Sequence, residues 1–365
     1  MDQNVNPTPQ KKTKKIHFEI LAETGTLSYD GTKKYFSTVG AAIFAFSILT
    51  FLGQAVLAMI VFSFPQIMEN SFAYSLASYA LSFIPLYCFG LPVMLSIFKK
   101  LPEVRPFKQK MKGSHVFLGM CMCICFMYAG SYVSNLLMTV LQKLKGAEIA
   151  NPVETATAGS AWWLNLLFVG ILAPILEEIL FRKLVCRYLL PLGEGWAVVL
   201  SAAIFGLAHG NFYQFFYAFA LGLFFGFIYV KTGKLIYSIF YHMMINILGG
   251  VIAPVLMEMI NSVDLEMIES IASDPAAMEA LMANPAELLP TVIVLLSVMT
   301  YNMIMYGAAI TGLVLFFVSL RKNRFKLDSG LLPPVKKGRY SALFLNAGIA
   351  LSIAYFAFTF ILSLV

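Results

Sequence analysis

Glu177, Glu178 and Arg182 stand together in "LEEILFRKLV" within a long apolar run, His209 lies in "IFGLAHG", and His242 and Asn246 lie in "YHMMIN". An ionisable group at membrane depth is expensive even on lenient scales, so it faces a bundle interior or a water-filled cavity and becomes a candidate for function. Of the 19 Asp and Glu, only Glu177 and Glu178 sit well inside such a run; of the four His, only His209 and His242 do, because His17 and His115 fall in polar segments. Glu178 and Arg182 are i, i+4, so on a helix they share a face and can pair across one turn. His242 and Asn246 have the same spacing, which points an imidazole and a carboxamide the same way. Phe205, four residues before His209, falls on that histidine's face and can wall it from lipid. A carboxylate, two imidazoles and an amide donor are the parts needed to activate water and hold an oxyanion. Taken singly, an intramembrane Glu/Arg pair also suits structure or transport, and a lone membrane histidine also suits a helix-to-helix hydrogen bond. Their occurrence together on three helices favours chemistry.

The elements that must position these residues follow from composition. Of 365 residues, 59% are hydrophobic and 12% charged, and the mean hydropathy is +0.78. Soluble domains are roughly half apolar and a quarter charged, so the chain reads as an all-α, polytopic membrane bundle. Its net charge of +7 is concentrated in short connections between apolar runs, a topology signal rather than a nucleic-acid footprint, and no nucleic-acid partner is expected. The five cysteines all lie in or against apolar segments, where "CMCIC" fills a helix as small hydrophobes.

Crossing a bilayer takes about 20 helical residues. The apolar runs predict eight or nine spans, at Val39 to Phe64, Phe72 to Phe98, Val116 to Leu141, Trp162 to Phe181, Trp196 to Gly210, Phe212 to Val230, Leu235 to Leu256, Val292 to Leu320 and Ala342 to Leu364. The chain accordingly divides into a cytoplasmic tail (1–35), N-terminal spans (36–150), a core carrying the candidate site (155–255), an acidic extracytoplasmic loop (258–290) and C-terminal spans (291–365). "MDQNVNPTPQKKTKK" has no apolar core and reads as a disordered tail, not a cleavable signal. Basic connections such as "KKLPEVRPFKQKMKGSH", "KTGK" and "RKNRFKLDSGLLPPVKKGR" place those loops and the N-terminus in the cytoplasm. Lys143 and Lys145 break the pattern on the outer side. At 1.5 Å per residue from the inner ends, Glu177 and His242 share a shallow depth while His209 comes out roughly 10 Å deeper. Either the fifth helix starts later than drawn, with the fourth helix extended past Arg182 or "LLPLGEGW" folded into the membrane, or the grouping of His209 with Glu177 and His242 is wrong.

"EEILFR", "FGLAH" and "HMMIN" fit the patterns EExxxR, FxxxH and HxxxN, and in their order and placement on separate helices the chain resembles the CPBP (CAAX protease and bacteriocin-processing) intramembrane protease family. The similarity covers roughly residues 161 to 250. One departure is Lys183, where bacterial members usually have Gly. The resemblance implies peptide-bond hydrolysis within the membrane of a membrane-associated peptide or protein. In that scheme Glu177 is the general base toward water, His209 positions that water, and His242 and Asn246 form the oxyanion hole. Glu178 and Arg182 hold Glu177 and the helix end in place. Metal use is open: Glu177, His209 and His242 are candidate ligands of a catalytic Zn2+, since two His and one Glu is a known catalytic set, but the reading leans toward a metal-free glutamate mechanism. The alternative on the same scaffold is a non-proteolytic membrane regulator or bacteriocin self-immunity protein. A bacterial plasma membrane is the expected location.

Overall fold

The computed structural model describes residues 16–22, 24–157, 159–263 and 289–364. Among them the regular elements are all helices, with two isolated β-bridges. Seven helices are long and apolar enough to cross a membrane: α1 (Tyr29–Phe62), α2 (Ser71–Phe98), α3 (Gly113–Lys145), α4 (Trp162–Leu192), α6 (Phe212–Thr232), α7 (Leu235–Asn261) and α8 (Leu289–Arg321). Two shorter apolar helices are α5 (Glu194–Ala208) and α9 (Ala347–Leu362). This is the polytopic, multi-pass membrane bundle read from composition. Residues 1–15 of the tail and 264–288 of the acidic loop lie outside the described residues.

Polar residues set the helix ends. Ser28 caps α1, its hydroxyl accepting from Gly31 N at 3.0 Å, so the helix begins well before the apolar run at Val39. Asn211 caps α6 through Gln214 N at 3.0 Å, and Gly233 ends it in the left-handed region at φ +61°. Lys143 and Lys145, the two that break the charge pattern, occupy the last turn of α3, where a cation complements the helix dipole. The single run expected over 342–364 is split by Asn346. Its Nδ2 donates to Ala342 O at 2.9 Å at the end of a short helix (Arg339–Phe344), and its Oδ1 accepts from Ile349 N at 3.0 Å at the start of α9.

Three spans contain a π-helical segment: Pro85–Gly90 in α2, Leu166–Leu172 in α4 and Leu248–Ile252 in α7. Each ends two residues before a proline, at Pro92, Pro174 and Pro254. Proline lacks an N–H and its ring crowds the carbonyl one turn back, so widening the preceding turn accommodates it. A further π segment, Ile179–Cys186, continues α4. The fourth helix therefore runs past Arg182 to Leu192, the first of the two arrangements that the depth mismatch of His209 predicted.

The chain forms two compact units, each assembled from separate stretches. The first comprises residues 1–106, 184–210 and 327–365, and the second 107–183 and 211–326. In the first, α1 packs on α9 with backbones in contact, since a Cβ added at Gly348 would stand 1.9 Å from Ser37 O. Tyr35 of α1 donates to Tyr188 O at 2.6 Å, and Tyr188 stacks on Phe98. In the second, Cys123, Ile124, Phe225, Ile228, Tyr241, Ile245 and Met305 form the core, so the "CMCIC" cysteines do serve as packing. A Cβ on Gly130 of α3 would lie 2.3 Å from Tyr217 Cα of α6; small residues at such crossings bring helices close where lipid offers no hydrophobic drive for association. Gly130→Leu is accordingly expected to destabilise the second unit by about 3 kcal/mol, read as a lowered unfolding midpoint in detergent against wild type.

Candidate active site

The second unit brings together Glu177, Glu178 and Arg182 on α4 with His242 and Asn246 on α7. Glu178 and Arg182 are both fully buried, and Arg182 Nε donates to Glu178 Oε2 at 3.2 Å. The other carboxylate oxygen, Oε1, lies 3.1 Å from His242 Nδ1. Glu178 therefore bridges the arginine and the imidazole, and a carboxylate in that place makes Nδ1 the proton-bearing nitrogen. The opposite nitrogen, His242 Nε2, faces Glu177 Oε2 at 3.7 Å. That separation exceeds a direct hydrogen bond and suits a pair that shares a third polar group.

Adjacency in sequence puts the two glutamates about 100° apart around α4, and their environments differ accordingly. The Glu178 side chain is 0% exposed, whereas that of Glu177 is 26% exposed, which leaves Glu177 the reachable one. Phe225 of α6 lies over His242 with ring centroids 5.4 Å apart, fixing the imidazole from its other side. Ser238, one turn before His242 and fully buried, donates to Leu235 O at 3.0 Å beside the Glu178 carboxylate.

Asn246 is placed by the proline of α4. In the π segment the backbone bonds run from residue i to i−5, as from Ala173 N to Phe168 O, so position 174 would serve Val169 O. Pro174 has no N–H, and Asn246 Nδ2 donates to Val169 O at 2.9 Å instead. One amide hydrogen thus locks the side chain between α7 and α4, and the second is the group's remaining donor.

His209 and Phe205 belong to the first unit, at the end of α5. His209 Nδ1 lies 2.8 Å from Phe205 O, and the two rings meet edge to face at 5.1 Å, on the shared face that their i, i+4 spacing implied. The geometry fixed within the second unit is that of Glu177, Glu178, Arg182, His242 and Asn246.

Sequence reasoning missed two features. It gave Glu178 the task of steadying Glu177, but its second oxygen holds His242; a contact between helices leaves no mark in local spacing. It also passed over Tyr217 of α6, whose hydroxyl accepts from Gln214 Nε2 at 3.2 Å and lies within electrostatic reach of Glu177. The chain of Asn211, Gln214 and Tyr217 at i, i+3, i+6 was the available signal. As for a metal, among the described residues no group of three or more His, Cys, Asp or Glu is placed to hold an ion. The metalloprotease expectation finds no support among them.

Breaking a buried pair leaves an uncompensated charge, while replacing both partners removes the problem. Glu178→Leu alone is expected to lower stability by about 3–5 kcal/mol, and Glu178→Leu with Arg182→Leu by clearly less, as measured by unfolding of the purified proteins in detergent.

Residues 159–248 match the family described as type II CAAX prenyl endopeptidase, Rce1-like. YdiL of Bacillus subtilis (strain 168), provisionally named a membrane peptidase, is 34% identical over 84 residues, covering 23% of this chain and 34% of that protein. MroQ of Staphylococcus aureus (strain USA300), named a membrane-embedded CAAX protease, is 35% identical over 88 residues, covering 22% of this chain and 36% of that protein. The match thus spans about a third of the length of these curated relatives. No solved structure matches the chain. All the candidate residues, Glu177 through Asn246, fall inside the matched stretch, residues 159–248.

Proposed function

We propose that this protein is an intramembrane endopeptidase in which Glu177 activates water against a peptide bond of a membrane-associated substrate. The observation that carries the reading is the relay Arg182–Glu178–His242, which turns the imidazole so that Nε2 faces Glu177 at 3.7 Å. A water held between these two groups gives a proton to the Glu177 carboxylate as its oxygen attacks the scissile carbonyl. The tetrahedral oxyanion that forms takes a donor from the second amide hydrogen of Asn246, while His242, its Nδ1 proton committed to Glu178, orients the attacking water through Nε2. Glu177 then returns its proton to the leaving amine. Glu178 stays ionised throughout, since Arg182 neutralises it and its two oxygens are engaged.

For His209 the role of positioning water is carried over from the family resemblance alone; its Nδ1 donates to Phe205 O at 2.8 Å. No step is routed through a metal. The two named relatives support the peptidase reading, and their bacterial origin supports a bacterial plasma membrane, with the N-terminus cytoplasmic by the distribution of Lys and Arg.

Removing a general base lowers the rate by about 10²–10⁴-fold, and removing one oxyanion donor by about 10²–10³-fold. In cells carrying wild-type or Glu177→Gln protein at matched levels, a set of membrane-protein termini is expected to vanish in the variant. Identical termini in the two strains, together with a phenotype on deletion of the whole gene, would put the regulator or immunity reading in its place. Once a substrate is found, Asn246→Ala is expected to lower kcat with KM little changed.

A further inference from the structure

Three separated stretches of the second unit converge at one end of it. Gln109 N donates to Thr232 O at 2.8 Å and its side chain bonds Lys231 O, while Met111 N donates to the Tyr237 hydroxyl at 3.0 Å. These bonds pin the segment before α3 to the turn between α6 and α7. Phe325, just past the end of α8, packs on Phe227 of α6 at 5.2 Å and on Phe316 at 5.9 Å, which brings the α8 terminus to the same place. Lys108, Lys110 and Lys112 come from the first stretch, Lys231 and Lys234 from the second, and "RKNRFK" at 321–326 from the third. Together they make nine basic residues, and residues 107–116, 229–237 and 318–326 contain no Asp or Glu. The lysines of the first stretch and the four basic residues of the third are exposed.

We propose that this end of the second unit is a binding surface for anionic phospholipid headgroups. Every one of these stretches adjoins the terminus of an apolar helix, so its charges stand within a turn or two of the hydrocarbon edge, at the depth of lipid phosphates. That is within a Debye length of the headgroup plane, about 8–10 Å at ordinary salt. Positive loops alone fix topology, but here hydrogen bonds between the first two stretches and the ring contacts of Phe325 join them into one surface, which several headgroups meet at once. Phe107, 87% exposed and next to Lys108, supplies an aromatic side chain to the acyl boundary beside the cations, the pairing that holds amphipathic segments at an interface. The inference does not depend on the peptidase reading.

The test reconstitutes the full-length protein in phosphatidylcholine vesicles carrying a trace of spin-labelled phosphatidylglycerol or spin-labelled phosphatidylcholine. The protein is expected to immobilise the anionic label several-fold more strongly than the neutral one, with the preference falling as salt rises. Lys108→Gln/Lys110→Gln/Lys112→Gln should reduce that preference, and Lys143→Gln/Lys145→Gln, at the far end of α3, should leave it. Equal immobilisation of both labels, or an equal loss in both variants, would overturn the proposal. Displacement of the anionic label by inorganic phosphate would do so as well, because it would indicate a free-anion site.

Discussion

A fully buried arginine in an apolar helix has to be neutralised, and the pairing of Arg182 with Glu178 is the constraint around which the second unit is arranged. The pair is intrahelical, so it forms as soon as α4 does. Its consequence is interhelical although its origin is local: Glu178, held by the guanidinium through one oxygen, keeps the other for His242. The register of α7 against α4 is thereby set by a charged hydrogen bond in a low-dielectric surround, where a misplaced partner is costly. Phe225 and Ser238 complete the enclosure of the imidazole and its carboxylate. What is left facing outward from this cluster is Glu177.

Proline supplies the second constraint. At Pro174 the backbone of α4 loses a donor just one turn before the two glutamates, and the widened turn leaves Val169 O to be met by Asn246. A helix defect in one span is thus repaired by a side chain of another, tying the amide into place. Pro254 creates the same kind of segment in α7 immediately after Asn246, where Tyr301 of α8 donates to Leu248 O at 3.0 Å. Both helices that carry the site are irregular next to it, and in each a neighbouring side chain donates to a carbonyl of the widened turn, Leu248 O taking Ala253 N as well.

The matched family stretch, residues 159–248, includes α4 to most of α7. The helices outside it supply packing: α3 and α8 close the core of the second unit, with Gly312 of α8 so near α3 that a Cβ there would meet Cys121 O at 2.0 Å. Such contacts depend on size rather than chemistry, and many sequences satisfy them. Only the stretch that places charges inside the membrane leaves a recognisable pattern.

That contrast separates what the amino-acid sequence determined from what tertiary structure decided. The bundle, seven of the nine spans drawn and the pairing of Glu178 with Arg182 were legible, because hydropathy and i, i+4 spacing are local properties of a helix, whereas the runs at 196–210 and 342–364 form helices shorter than a crossing. The shared face of Phe205 and His209 was legible for the same reason. The extension of α4 to Leu192 showed only as a mismatch in depth, and the break at Asn346 was hidden in an apolar run because one amide caps two helices. The bond from Glu178 to His242, the replacement of the Pro174 donor by Asn246 and the facing of His242 toward Glu177 were not legible at all. Each joins residues more than sixty positions apart, and which rotation of one helix meets which rotation of another is settled by close packing of side chains, of which a single sequence carries no local trace.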